Sequence, residues 1–207
     1  MPGAISELQL PPAGHFLPNP RRPRPTSWVA LTGFMGTGKS RVGWELARQL
    51  GLYFVDTDRL IERATGRSVS QIFAEQGEAA FRELELELVR RVTGADLLVV
   101  ALGGGTFIQP ACRQLLRARG PVVALEARPE TVLARTRRSE RPLLQTEDPL
   151  GTIERLMRER AGTYALADLR VSSEGRQSQE VARRIIAELW RWRRQAERAG
   201  RPPGVHR

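Results

Sequence analysis

Apolar residues along this chain of 207 fall into short continuous runs separated by stretches of helical period. The runs lie at Trp28–Thr32, Tyr53–Val55, Leu97–Leu102, Pro121–Leu125 and Leu169–Val171. Between them the spacing predicts helices over 39–50, 58–64, 70–75, 78–93, 110–118, 129–137, 149–161 and 178–196. In the first helix Val42, Leu46 and Leu50 recur every fourth residue, and Gly51 stops the pattern. The last carries Val181, Ile185, Leu189 and Trp192 on one face, so Trp190 and Trp192 are read as packing residues. Strands that are apolar throughout and alternate with helices form a parallel sheet covered on both faces. The fold class is therefore α/β, with five strands doubly wound and ligands expected at the strands' carboxyl ends. Residues 1–26 show no period and hold seven prolines. They are expected to be a disordered extension, ahead of one domain over 27–196 and a basic disordered tail over 197–207.

The first strand and helix flank Gly33-Phe34-Met35-Gly36-Thr37-Gly38-Lys39-Ser40, which fits the phosphate-cradling pattern G-x-x-x-x-G-K-[ST]. Strand, glycine-rich turn and helix N-terminus point several backbone N–H groups at one anion. Lys39 is the only lysine in the chain; every other long basic side chain is arginine. A compact ammonium reaches between β- and γ-phosphates, which a planar guanidinium does poorly. The Ser40 hydroxyl is placed to ligate Mg²⁺.

Composition narrows the options. Hydrophobic content of 41% supports a core, and no apolar run approaches a membrane span. No secretory leader is visible, and the lone Cys112 has no internal partner, so a cytoplasmic location is expected. Cys112 reads as a small packed side chain. His15 and His206 sit in the two tails, which argues against a zinc site or a histidine base. Of the net charge of +10, residues 183–207 carry +6, residues 1–26 carry +2 and the body +2. The excess is read as a solvated helix end rather than a nucleic-acid surface.

Further constellations follow the strands. Asp56-Thr57-Asp58 closes the second, where one carboxylate can serve Mg²⁺ through water and the other can orient a hydroxyl. Either could instead cap the next helix. Gly77-Glu78 marks a turn entering a new helix, and Arg82 lies on it among Glu83, Glu85 and Glu87. Arg82 is either one rung of a salt-bridge ladder or a fork for a substrate carboxylate, steadied by Glu85. Gly103-Gly104-Gly105 ends the third strand, as if a ligand approaches the backbone closely. Arg135, Arg137, Arg138 and Arg141 then describe a basic flap able to close over a polyphosphate.

Taken in order, Gly33–Ser40, Asp56/Asp58, Phe73 and Phe81-Arg82 around Gly77-Glu78, Gly103–Gly105, Arg141–Leu144 and Arg160 with Tyr164 resemble the shikimate kinase family. The resemblance spans roughly residues 27–190. It implies ATP-dependent phosphorylation of the 3-hydroxyl of shikimate by a P-loop, nucleoside-monophosphate-kinase-like fold. The sheet order would be 2-3-1-4-5, with a substrate lobe near 57–93 and a lid near 135–148. On that likeness Lys39, Asp58 and Arg141 are catalytic. Asp58, Arg82, Gly104, Arg160, Phe73 and Phe81 bind substrate. Gly36, Thr37, Gly38, Lys39, Ser40, Arg41, Arg135, Arg141 and Arg176 bind nucleotide, with Arg135 along adenine. Ser40 and Asp56, the latter through water, hold Mg²⁺. The chain departs from the family at Arg41, often threonine, and at Ser178, usually proline near the adenine, and its lid is about one residue shorter. The partners implied are ATP and shikimate, for a monomer without specific nucleic acid or membrane. Two other readings remain: a related kinase acting on a hydroxy acid such as gluconate, and nucleic-acid binding by the arginine-rich C-terminus. The Gly-Glu…Phe-Arg segment weighs against the first, and the want of a reader module against the second.

Overall fold

A computed structural model of the chain describes residues 5, 8, 10, 23–137 and 146–200. Among these residues the elements run β1 (Trp28–Thr32), α1 (Lys39–Leu50), β2 (Tyr53–Asp56), α2 (Thr57–Thr65), α3 (Val69–Gly94), β3 (Leu98–Ala101), a 3₁₀ turn (Thr106–Ile108), α4 (Pro110–Arg119), β4 (Val122–Glu126), α5 (Pro129–Thr136), α6 (Pro149–Tyr164), β5 (Leu169–Ser172) and α7 (Ser178–Arg198). The five strands make one parallel sheet in the order β2-β3-β1-β4-β5. The chain thus crosses over β1 between β3 and β4, which leaves the turn after β1 at the middle of the sheet's carboxyl edge.

Side chains alternate across the sheet with period two. Trp28, Ala30, Leu98, Val100 and Val122 join Leu88 and Val92 of α3 and Leu116 of α4 in one buried cluster. Val29, Leu31, Val99 and Val123 face the other way and pack on Val42 and Leu46 of α1 and Ile185 and Leu189 of α7. Both faces are therefore covered, which is why the inner strands β1, β3 and β4 are almost wholly apolar, whereas the edge strand β5 alternates with Arg170 and Ser172 exposed. Full burial of each such side chain is worth about 1.5–3 kcal/mol. The Trp28 indole N–H is satisfied by the Val92 carbonyl at 3.1 Å. A third cluster of Phe34, Met35, Val132, Ile153 and Leu156 ties the glycine-rich turn to α5 and α6.

The two helices expected over 70–75 and 78–93 are present within α3, joined at a kink at Gly77 whose φ of 82° and ψ of 173° suit glycine alone. The bend has a consequence for the site. Residues eight apart on a straight helix are separated by about 12 Å along its axis. Across this bend the rings of Phe73 and Phe81 come to 4.9 Å.

Of the leading segment expected to be disordered, residues 5, 8, 10 and 23–26 are among the described residues. Ile5 is fully buried, and Leu8 and Leu10 pack against the same cluster under α3 and α4. The Leu8 carbonyl accepts from Arg91 Nη2 at 2.5 Å. Proline content set the expectation of disorder, but three aliphatic side chains supply enough apolar area to dock. Arg24 adds a bond to the Gly51 carbonyl at 3.0 Å and accepts one from Arg193 at its own carbonyl at 3.1 Å. At the other end α7 runs to Arg198, and residues 201–207 lie outside the described residues. Among the described residues no helix is long and apolar enough to cross a membrane.

Candidate active site

The turn after β1 wraps a cradle. Gly33, Gly36 and Gly38 adopt positive φ, and Thr37 Oγ1 closes the turn on the Phe34 carbonyl at 2.8 Å. Lys39 Nζ donates to the carbonyls of Gly33 and Phe34 at 2.9 and 3.0 Å, which holds the ammonium over the loop. Ser40 Oγ donates to Asp56 Oδ2 at 2.5 Å. The other Asp56 oxygen accepts the N–H groups of Asp58 and Arg59 at 3.1 and 3.3 Å. Capping of α2 therefore falls to Asp56, and Asp58 stands in the first turn of that helix.

A cleft of about 760 Å³ opens over this cradle. Gly36, Thr37, Gly38, Lys39, Ser40, Arg41, Asp56, Asp58, Gly104, Arg135 and Arg176 line it, together with Ser178. All the nucleotide-side candidates among the described residues meet here. Arg141 and the flap segment 138–145 lie outside the described residues. Arg135 reaches from α5 to the Gly36 carbonyl at 3.3 Å, and so touches the cradle directly.

A second, tighter cavity of about 80 Å³ adjoins the first and shares Met35, Asp58 and Gly104 with it. Phe73, Phe81, Arg82, Glu85 and Arg160 line it, so the substrate-side candidates also converge. Arg82 lies 5.9 and 5.6 Å from the centroids of the Phe73 and Phe81 rings, within cation–π range. Its Nη1 donates to Glu85 Oε2 at 2.5 Å. Its Nε and Nη2 donate to Glu78 Oε1 at 3.1 and 2.7 Å. The ladder and the fork are thus one arrangement: two glutamates on the same helix set the plane of one guanidinium.

Glu85 is fully buried and also accepts from Thr106 Oγ1 at 2.5 Å and Gln109 Nε2 at 2.9 Å. Burial pushes its carboxyl above the ordinary range, and Arg82 and Thr106 pull against that. Burial alone would weaken the Arg82 charge, but Glu85 and then Glu78 more than offset it, so the guanidinium is held more firmly protonated. The triple glycine makes room for this network. A Cβ on Gly103 would meet the Asp58 carboxylate, Glu85 Oε1 and Thr106 Oγ1, and one on Gly105 would meet the Arg82 guanidinium. Arg160 lies 5.6 Å over the Phe34 ring, and Tyr164 one turn on donates to the Gly104 carbonyl at 2.8 Å. Burial raises the Tyr164 hydroxyl above its ordinary value, against the pull of Arg160.

Several of these residues carry no prior signal. Glu78, read from the sequence only as part of a turn, stands four residues before Arg82, a spacing that could have named it as a partner, but Thr106 and Gln109 are tied to Glu85 only by the fold. Met35 and Ser173, which also line the larger cleft, belong to no pattern that names them.

A model of the family described as "Shikimate kinase" matches residues 35–190. The chain belongs to the shikimate kinase family. A shikimate kinase of Deinococcus radiodurans is 55% identical over 185 residues, covering 89% of this chain and 94% of the relative. A solved shikimate kinase from Acinetobacter baumannii, in complex with shikimate, is 36% identical with a TM-score of 0.77, over 79% of this chain and 93% of that one. A gluconokinase from Sinorhizobium meliloti superposes with a TM-score of 0.54 at 16% identity, over 86% of this chain and 99% of that one, which is likeness of fold alone.

Proposed function

We propose that this chain transfers the γ-phosphoryl group of ATP to the 3-hydroxyl of shikimate, giving shikimate 3-phosphate and ADP. The observation that carries the reading is the junction of the two cavities at Met35, Asp58 and Gly104. A polyphosphate seated on the Gly36–Ser40 cradle ends at that junction, and a ring acid held by Arg82 and Arg160 presents its hydroxyls there. The Acinetobacter relative, solved with shikimate, supports the choice of acid.

Phosphoryl transfer needs positioning and neutralised charge more than covalent help. Arg82 and Arg160 form charge-assisted bonds to the carboxylate, Phe73 and Phe81 bound the ring, and the Gly104 backbone faces it. The 3-hydroxyl oxygen forms the new P–O bond and its proton passes to Asp58. The bond from γ-phosphorus to the β,γ-bridging oxygen breaks, and ADP leaves with that electron pair. Lys39, with Arg141 from the flap, neutralises charge on the transferring group.

Mg²⁺ fits the donor set. The Ser40 hydroxyl and Asp56 carboxylate are hard oxygens 2.5 Å apart at the cradle, and among the described residues no three His, Cys, Asp or Glu form a cage. Mg²⁺ keeps several waters and leans on substrate phosphates rather than on such a cage. Ser40 would ligate it directly and Asp56 through water, and bound there it would offset charge on the β- and γ-oxygens.

A coupled ADP-release assay tests the reading. Release should depend on shikimate and stay at background with gluconate. Arg82→Ala should lower kcat/KM for shikimate about 100-fold or more, because a buried charged partner is lost, with KM for ATP within about twofold of wild type. Wild-type efficiency in that variant would refute the assignment of substrate.

A further inference from the structure

On the nucleotide side, the turn between β5 and α7 grips one face of α5. Ser173 is only 2% exposed. Its hydroxyl donates to the Glu126 carbonyl at 3.1 Å and accepts from Arg135 Nη1 at 3.1 Å. Its carbonyl accepts Arg135 Nη2, also at 3.1 Å. Its own N–H closes on Glu126 at 2.8 Å, which fixes the turn to the end of β4. A serine hydroxyl has one proton to give, and here that proton goes to Glu126. Ser173 therefore lines the cleft without a donor to offer a ligand.

The next residue holds the other end of the same helix. Glu174 accepts the Arg128 N–H at 3.0 Å, Arg128 Nη2 at 3.2 Å and Thr131 Oγ1 at 2.6 Å. Arg128 is the N-cap of α5 and has no side-chain cap of its own, so a carboxylate from a distant element does that work. Thr131 and Arg135 are four residues apart and share a helix face. Two consecutive residues thus hold α5 at its first turn and one turn further on.

We infer that Ser173 and Glu174 are positioning residues for nucleotide binding, acting through Arg135 and never touching the nucleotide. The inference rests on the proposed kinase function and on Arg135 facing the nucleotide. Three acceptors on two elements, Ser173 Oγ, Ser173 O and Gly36 O, fix the guanidinium plane relative to the cradle. A guanidinium stacks on a ring only when its plane is held. Removing the Ser173 hydroxyl leaves Nη1 held by the Gly36 carbonyl at 3.3 Å and Nη2 by the Ser173 carbonyl, so Nη1 loses one of its two acceptors. Removing the Glu174 charge loosens the helix that carries Arg135.

The test measures ADP and shikimate dissociation constants by titration calorimetry, and both KM values and kcat, for Ser173→Ala, Glu174→Gln, Arg135→Ala and Ser173→Ala/Arg135→Ala. Loss of one such hydrogen bond should weaken ADP and raise KM for ATP about 3- to 10-fold in Ser173→Ala. Glu174→Gln should act the same way, with shikimate affinity unchanged in both. On the Arg135→Ala background the Ser173 change should add less than about twofold, since a residue acting through another loses its effect with it. Ser173→Ala with wild-type ADP affinity, beside a weakened Arg135→Ala, overturns the inference and leaves Arg135 a nucleotide residue. Equal losses for ADP and shikimate mean a merely structural serine and overturn it too. An Arg135→Ala protein that binds ADP normally removes the nucleotide role of Arg135, and the inference with it. Loss of shikimate-dependent turnover in the wild type is the separate failure of the kinase reading.

Discussion

The two cavities of this enzyme are built in opposite ways. The larger cleft, proposed for the nucleotide, is lined along one side by six consecutive residues of one turn, Met35 to Ser40, with Lys39 tethered to carbonyls of the same turn. The smaller cavity, proposed for the acid, is about a tenth as large, and its walls are side chains from α2, α3, α6 and the turn after β1, with Gly104 and Gly105 contributing backbone. One site is a local conformation that the sheet merely supports. The other exists only once distant elements have packed, with a buried carboxylate holding an arginine in place. A cradle of backbone groups should tolerate little change in its own residues, and changes elsewhere should reach it only through a side chain that touches it, as Arg135 does at the Gly36 carbonyl. A pocket of interlocked side chains should respond in graded fashion to crowding.

The largest effect should come from breaking the cradle's charge. Lys39→Ala should lower kcat about 100- to 1,000-fold, the usual cost of removing one preorganised stabiliser of developing charge. Shikimate affinity, measured by calorimetry, should hold within about twofold, because Lys39 lines the larger cleft and is not among the residues lining the smaller cavity. Comparable loss of shikimate affinity would show that the two sites are not separately built.

Glycine substitutions should then separate the two designs. Gly33 has a φ of 128°, and a Cβ there falls on the Leu125 backbone, so alanine at this position strains the scaffold itself. Gly105 differs. Its φ of −105° is open to any residue, and the three atoms nearest the added carbon all belong to the Arg82 guanidinium, with Cζ at 2.6 Å. Gly105→Ala should fold normally and push the guanidinium aside. The expected outcome is a KM for shikimate raised about tenfold, of the order set by loss of one charged hydrogen bond, with KM for ATP unchanged. Steady-state kinetics with either substrate varied decides it, and an unchanged KM for shikimate would mean that Arg82 has slack the structure does not suggest.

This contrast also explains what could be read from residue order. The cradle was legible because its chemistry is one-dimensional: glycines where φ must be positive, a lysine and a serine at fixed spacing. Strand order and the roles of Asp58, Arg82 and Arg160 came through likeness to a family, since nothing in their spacing alone forces them together. Thr106 and Gln109 were invisible because their partner, Glu85, sits more than twenty residues earlier on another element. Ser173 was invisible for the same reason, with Arg135 thirty-eight positions away. Ile5 failed differently, because composition over a proline-rich segment masks one side chain that finds a slot.

The smallest effect concerns two carboxylates that the two sites shift in opposite senses. Glu174, on the nucleotide side, is drawn down to about 2, first by the Arg128 backbone N–H and then by the Thr131 hydroxyl. Its folded form stays ionised where the unfolded chain has begun to take up protons. The unfolded state then binds more protons, and stability rises with pH across that interval. The contribution of Glu174 is therefore full above its ordinary value near 4.5 and fades as pH falls towards about 2. Glu85, in the acid pocket, is raised by burial. There the folded state keeps the proton longer, so stability falls as pH rises from the unfolded value through the folded one. Urea midpoints between pH 2 and 7 should show the wild type ahead of Glu174→Gln at neutral pH, with the gap closing in acid. For Glu85→Gln the pH trend should reverse, the wild type losing ground as pH rises above the ordinary carboxylate range. A gap for Glu174→Gln that widened in acid would mean that the carboxylate is not held by the start of α5, and the clamp on that helix would lose its physical basis.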